Sequence, residues 1–353
     1  DQILLDRFKT RLLSKGASPL NFISWSITAT ELVQIKDDIF KQIDFSFLES
    51  INENNESFFS PFILIILGSL FLWSRFFFSR KLKTLINKSP PSNSLMVFSA
   101  LENINYLLFP LLGLFLIFEG LGIISIFGLY NTLFKTYAFV IASTFVISNW
   151  LGLSLASKSI KIGQLFNFNI TQEKYFISLV NKLAMIFASL LLVDMLNLGF
   201  LLSPNSLANL YFPLIVFISI ILFSLNRKIA NAHNNEFTGK SFALLKSFFN
   251  KSIFLLTIFI PILTIFGFLE ATLYLIKSLI LSIAVLGSTY VLLKVLDVFL
   301  QSAISYLVSK EHNFEYEHQK NLSSNILSLI ILITSFLILL LVWGFSINNL
   351  QDL

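Results

Sequence analysis

Eight long apolar runs, near 58–78, 103–119, 136–157, 177–198, 207–225, 252–269, 278–300 and 324–346, leave this chain little to fold into but a membrane bundle. A run of about 20 apolar residues matches the thickness of a bilayer when helical. In lipid only a helix or a closed barrel bonds all of its own backbone groups, and runs this long and unbroken are helical. Composition agrees. The chain is 55% hydrophobic and 13% charged with a mean hydropathy of +0.78, about half the charge of a soluble domain. The expected fold class is an all-α integral membrane protein. About eight transmembrane helices over 58–346 form repeated hairpins. A small periplasmic helical segment, 1–57, precedes them, and 347–353 begin another periplasmic loop.

Basic residues set the expected orientation. Arg80, Lys81, Lys83 and Lys88 follow the first run; Lys158, Lys161 and Lys174 follow the third. Arg227, Lys228, Lys240, Lys246 and Lys251 follow the fifth, and Lys310 and Lys320 the seventh. The loops between hold only Lys135 and Lys277. Lys and Arg concentrate in cytoplasmic loops, so these basic loops are expected inside. The net charge of +5 then reflects topology, and nucleic acid is not an expected partner. Tyr137, Tyr211, Tyr274 and Trp343 fall near outer helix ends, and Tyr106, Tyr175 and Tyr306 near inner ones, where rings prefer the headgroup level. Tyr290, deep in the seventh run, breaks that pattern.

The first 57 residues read differently. Leu4, Leu5, Phe8 and Leu12 share a helical face, with Gly16 placed to end that helix. "SPLNFISW" turns the chain at Pro19, and Leu32, Ile35, Ile39 and Ile43 mark a second amphipathic stretch. "ESINENNES" is a polar linker. The expected structure is a small helical cap on the outer face, or a helix lying on lipid.

Three acids suggest a repeat. Glu119, Asp194 and Glu270, in "LIFEGLG", "LLVDMLN" and "FGFLEAT", recur at nearly equal spacing, each expected where a helix reaches the outer face. The next period lands on Ser346 in "VWGFS". The last run would then open a fourth hairpin, so the chain is expected to be a piece of something longer.

Catalytic chemistry has little to stand on. No cysteine is present, and no nucleotide-binding glycine pattern or H-E-x-x-H motif occurs. The histidines, His233, His312 and His318, fall in expected cytoplasmic loops. Neither an enzyme, nor a cofactor, nor a metal site is expected. The ionisable residues inside or at the ends of the helices are Arg75, Glu119, Lys182, Asp194, Glu270, Lys294 and Asp297. A charge at mid-bilayer costs roughly 2.5–3.5 kcal/mol on insertion scales and usually marks a pathway. None of these occupies the centre of a run, and a structural role is expected of them. Lys294 and Asp297 are spaced to pair on one helix face. Pro110, Pro213 and Pro261 fall mid-helix, where kinks are tolerated.

Three stretches carry a family likeness. "LLSKGASPLNFISW", Leu12 to Trp25, is close to an R-S-P-S-P-L-x-x-x-x-W pattern, and "KSPPSNSLMVFSALENINYLLFPLLGLFLIFEGLGI" and the closing "LLVWGFSINNL" fit the same group. In these the chain resembles the N-terminal half of the larger bacterial small-conductance mechanosensitive (MscS-type) channels. The resemblance implies a multi-pass inner-membrane subunit of a homo-oligomer, usually a heptamer. Its extra hairpins would lie outward in lipid as a tension-sensing paddle, and the Gly/Ala-rich pore helix and cytoplasmic β-domain would lie downstream. Nothing in this sequence matches the pore helix, so no pore residue carries over. The expected function is the tension-sensing region of an osmotic safety valve, with membrane lipid as its partner. A transporter, a flippase and a non-conducting scaffold are the alternatives.

Overall fold

A computed structural model describes residues 13–21, 23–42, 55–88, 93–124, 130–156, 168–230, 240–308 and 315–345. Among them the chain is helices and short turns, with no strand. In chain order the helices are α1 (Ile23–Gln42), α2 (Asn55–Lys88), α3 (Asn93–Ile124), α4 (Asn131–Ala156), α5 (Ile170–Phe200), α6 (Pro204–Ala230), α7 (Lys240–Ile265), α8 (Leu269–Val308) and α9 (Glu315–Val342). Helices α2 to α6, α8 and α9 are long and apolar enough to cross a bilayer, and α7 carries a shorter apolar stretch, Asn250–Ile265. The chain is an all-helical multi-pass membrane protein, as its apolar runs predict. The end of the bundle carrying the basic loops is called its basic end below.

Several helices outrun the apolar text that announced them, as α3 does at both ends, and one stops short of it. The sixth run was expected to continue to residue 269, yet α7 stops at Ile265. The cause is Gly267, whose φ of +90° suits a residue without Cβ. The turn it makes sends the chain straight into α8. Helix α5 has sharp ends too. Its N-cap Asn169 accepts from the Gln172 N–H at 2.8 Å, and the Gln172 side chain accepts from the Asn169 N–H at 3.1 Å. This capping box supplies partners for two N–H groups at the start of α5.

Two apolar cores hold the bundle. The larger gathers Phe176 and Leu190 of α5, Ile215 and Ile218 of α6, Ile260 of α7 and Ile276 of α8. The smaller joins Ala100 of α3, Trp150 and Leu151 of α4, and Val291 and Val295 of α8. Helix α8 therefore runs through both. Tyr290 packs against this second core with the Lys294 ammonium 5.8 Å from its ring centre, which accounts for an aromatic ring so deep in a span.

The N-terminal segment docks on the end opposite the basic loops. Asn209 of α6 donates to Ser24 Oγ and Thr28 Oγ1 of α1, both at 2.9 Å. Gly16 N–H donates to Gly267 O at 2.9 Å, and Ser18 Oγ to Ile265 O at 3.0 Å. Gly16 thus bonds the α7–α8 turn. The Trp25 indole reaches back to Pro19 O at 3.2 Å across the turn expected there. Residues 1–12, with the helical face expected at Leu4 to Leu12, lie outside the described residues, as do His233, His312 and Ser346. The backbone of His318 belongs to α9 rather than to a loop.

Candidate functional site

The seven ionisable residues expected to be structural resolve into distinct settings. At the end opposite the basic loops, Lys135 Nζ of α4 lies 2.5 Å from Glu119 Oε2 of α3. Lys277 Nζ of α8 lies 2.6 Å from Asp194 Oδ2 of α5, and Tyr211 of α6 donates to Asp194 Oδ1 at 2.5 Å. Asp194 thus joins three helices. Lys135 and Lys277, the two lysines that depart from the basic-loop pattern, are both consumed in these pairs. Sequence alone offered no sign of it, since Lys277 and Asp194 stand 83 positions apart.

The repeat of three acids is only partly kept. Glu119 and Asp194 lie toward the C-terminal ends of α3 and α5. Glu270 does not end α7. It stands in the first turn of α8, because the Gly267 turn closes α7 early. A carboxylate in a first helical turn faces the positive end of the helix dipole, so Glu270 has its own electrostatic reason to be there.

Near the basic end, Arg75 of α2 stacks its guanidinium 4.8 Å from the Tyr106 ring centre. Lys182 of α5 lines an open groove of about 740 Å³ together with Arg75 and Lys174. Asp297 accepts from Gln301 Nε2 one turn along α8 at 3.0 Å.

Sequence reading missed a buried polar seam here, carried by "LENINY" on α3. The Asn103 amide donates to Ser154 Oγ at 2.9 Å and accepts from the Trp150 indole N–H at 2.7 Å. All three residues are buried. Asn105 donates to the Arg75 carbonyl at 3.2 Å. Glu102 is buried too; Ser79 Oγ donates to it at 3.4 Å, and Lys83 approaches it to 3.7 Å. The run expected at 103–119 excluded Glu102 by one residue. Extending the run to the acid just before it is the signal that would have found this carboxylate.

Much of the described surface is apolar. The most hydrophobic stretches of α5 and α6 are 44% and 50% buried, whereas those of α2 and α9 are 6% and 0% buried. Phe59, Ile66, Trp73 and Phe76 of α2 stand exposed, as do Leu329, Ile333 and Phe336 of α9. Such a surface belongs against acyl chains or against the apolar face of another membrane helix, not against water.

The two exposed helices are tied in by different means. Helix α2 meets α3 through glycines: a Cβ at Gly68 would lie 2.6 Å from Gly113 O, and one at Gly120 2.7 Å from Pro61 O. Small residues of this kind let membrane helices approach backbone to backbone. Helix α9 is tied to α8 by hydrogen bonds. Ser278 Oγ donates to Val342 O at 3.0 Å, the Trp343 indole to Ser282 Oγ at 3.0 Å, and Thr289 Oγ1 to Ser335 Oγ at 2.6 Å. Tyr274 completes the row, donating to Trp343 O at 2.7 Å.

No protein-family model matches this chain, and neither a curated protein nor a solved structure matches it. Among the described residues, no cluster of metal-ligating side chains occurs. What this arrangement does chemically is present fatty surface, with its charges held toward the two membrane faces.

Proposed function

We propose that this chain is the tension-sensing membrane region of a mechanosensitive channel subunit of the MscS type, in the bacterial inner membrane, with its N-terminal segment periplasmic. The observation that carries the reading is the gradient of burial, from α6, half of whose apolar stretch is buried, to α2 and α9, whose apolar stretches hold almost no fully buried residue. The likeness of "LLSKGASPLNFISW" to the channel family supports the same reading. Helices that face acyl chains on most of their surface feel lateral tension directly. Tension biases a gate only if the sensor occupies different area, or different tilt, in the closed and open states. In this reading α2 and α9 are the surfaces that report the difference, and subunits assemble into a homo-oligomeric ring, seven by the resemblance.

The test is electrical. The whole open reading frame that encodes this chain is expressed in cells stripped of their osmotic release channels, and membrane patches are stretched. Tension-gated conductance, with better survival of hypo-osmotic shock, is expected. Patches without tension-gated current, from cells in which the protein is present in the membrane, overturn the proposal. Uptake or scrambling of a solute or lipid without such current favours the transporter or flippase alternative.

A further inference from the structure

We propose that the groove between α2, α4 and α5 near the basic end is a binding site for the phosphate-bearing headgroup of an anionic phospholipid. The inference goes beyond tension sensing and rests only on the chain's being a membrane bundle.

Three cations, Arg75, Lys174 and Lys182, line the groove from two helices. Among the described residues, none of the three has a carboxylate within ion-pair distance. At the other end of the bundle the lysines Lys135 and Lys277 are both paired with acids. Depth makes the contrast pointed. At 1.5 Å per residue, Lys182 lies about 8 Å inside the apolar run that opens near 177 and Arg75 about 5 Å inside the run that closes near 78. Both Cα atoms therefore stand just inside the edge of the hydrocarbon layer. The Tyr106 ring covers one face of Arg75 but carries no full negative charge, and cations at that depth without an acid call for an anion or water to reach them. Lys174, in the second turn of α5, stands higher and exposed.

The remaining lining fits a headgroup with acyl chains attached. Asn149, Ser178 and Asn181 supply neutral donors between the cations. Phe145, Ile177 and Met185 supply an apolar wall, and Phe145 and Met185 are exposed outward to lipid. The groove is open rather than closed, which suits a molecule entering sideways from the leaflet. Arg presents a planar fork to phosphate oxygens and Lys a point charge. A free phosphate would satisfy the cations but leave the apolar wall uncovered, so the lipid is the better occupant.

The test titrates the purified full chain, in uncharged detergent, with phosphatidylglycerol or phosphatidylcholine and counts bound lipid by native mass spectrometry. Wild type is expected to prefer phosphatidylglycerol. Each basic residue near a membrane surface favours anionic lipid enough to predict a loss of roughly fivefold per cation removed. The combined Arg75→Gln, Lys174→Gln and Lys182→Gln variant is expected to lose on the order of a hundredfold. The Arg80→Gln, Lys81→Gln double variant removes charge at the same end outside the groove and is expected to lose far less than the groove variants. If the triple variant does not fold, the single change at exposed Lys174 is read instead. The proposal fails if the groove variants retain wild-type preference, or if the control pair loses as much. It fails also if inorganic phosphate displaces phosphatidylglycerol completely, which would make the groove a site for the free anion.

Discussion

The contact between α2 and α3 gives the sharpest prediction of stability. At Gly68 an added Cβ would sit 2.6 Å from Gly113 O, and at Gly113 it would sit 2.8 Å from Gly68 O and 2.8 Å from Leu72 Cγ. Ordinary contact begins near 3.4 Å, so the two backbones must part to admit a single methyl group. Overpacking of this kind costs about 1–3 kcal/mol. Gly68→Ala and Gly113→Ala are each expected to destabilise by that amount. The double variant should cost less than their sum, because one parting of the helices serves both. Gly152 is the control, since a Cβ there finds nothing nearer than 3.6 Å, and Gly152→Ala should be neutral or slightly stabilising. The assay is reversible unfolding of the purified chain in mixed micelles as denaturing detergent is raised. Limited proteolysis should show α2 loosening first, because little besides α3 covers it. Gly68→Ala and Gly113→Ala unfolding together with Gly152→Ala would refute the close-contact reasoning.

Other outcomes follow from the polar links. Asp194→Asn weakens the tie to Lys277 and Tyr211. The pair is partly exposed, at 32% and 16% of side-chain surface, so its loss should fall between the roughly 0.2–1 kcal/mol of a solvated pair and the roughly 3–5 kcal/mol of a broken buried one. About 1–2 kcal/mol is expected in the same unfolding assay, and no change would show the pair to be idle. Glu31 makes docking of α1 depend on pH. Burial opposes its ionisation, but hydrogen bonds from the Ser203 and Ser206 side chains and the Ser203 N–H outweigh that and hold its carboxyl below the ordinary range. A depressed folded pKa means the stabilisation is complete above the unfolded value and fades as pH falls through the folded one. Amide exchange in α1 should therefore accelerate in acid for wild type, and Glu31→Gln should remove that dependence; equal acid sensitivity in the two refutes it. Orientation is checked with Asn205→Cys, an exposed position at the end opposite the basic loops in a chain without other cysteines. An impermeant thiol reagent should label it from outside the cell, and labelling from the cytoplasm alone would reverse the topology.

Much of the architecture was legible because lipid imposes one rule, a long apolar run, that local sequence must obey. Helix ends were less legible. Apolar text measures the hydrocarbon layer, whereas a helix continues into the headgroups; α3 begins at Asn93, well before the run that announced it at 103. The early stop of α7 depended on the conformation of one glycine, Gly267. Side-chain partners were the least visible. Lys135 and Lys277 looked like imperfections in the distribution of charge, and only the packing of α3 on α4 and of α5 near α8 revealed their acids. The glycines of α2 and α3 stand out little among the surrounding Leu, Ile and Phe. Gly113 and Gly120, seven apart on α3, were the available sign of a close-packed stripe.

The two ends of the bundle differ in a way that bears on how it can move. Among the described residues, the links joining parts of the chain far apart in sequence gather at the end opposite the basic loops. There Asp194 ties α5 to α6 and α8, Gly16 and Ser18 tie the N-terminal segment to the α7–α8 turn, and Asn209 ties α6 to α1. Near the basic end the described links run between neighbouring helices: Ser79 and Lys83 reach Glu102, Asn103 reaches Ser154, and Asn226 reaches Asn250 O. Helix α2 takes no part in the links at the end opposite the basic loops, and its described partners lie on α3, through the glycine contact and through Glu102 and Asn105. If the bundle answers to tension, α2 and α3 are therefore expected to shift as a pair. Arg75 lies on α2 while Lys174 and Lys182 of the same groove lie on α5, so occupancy of the groove and displacement of α2 should be linked, each altering the other by the same factor.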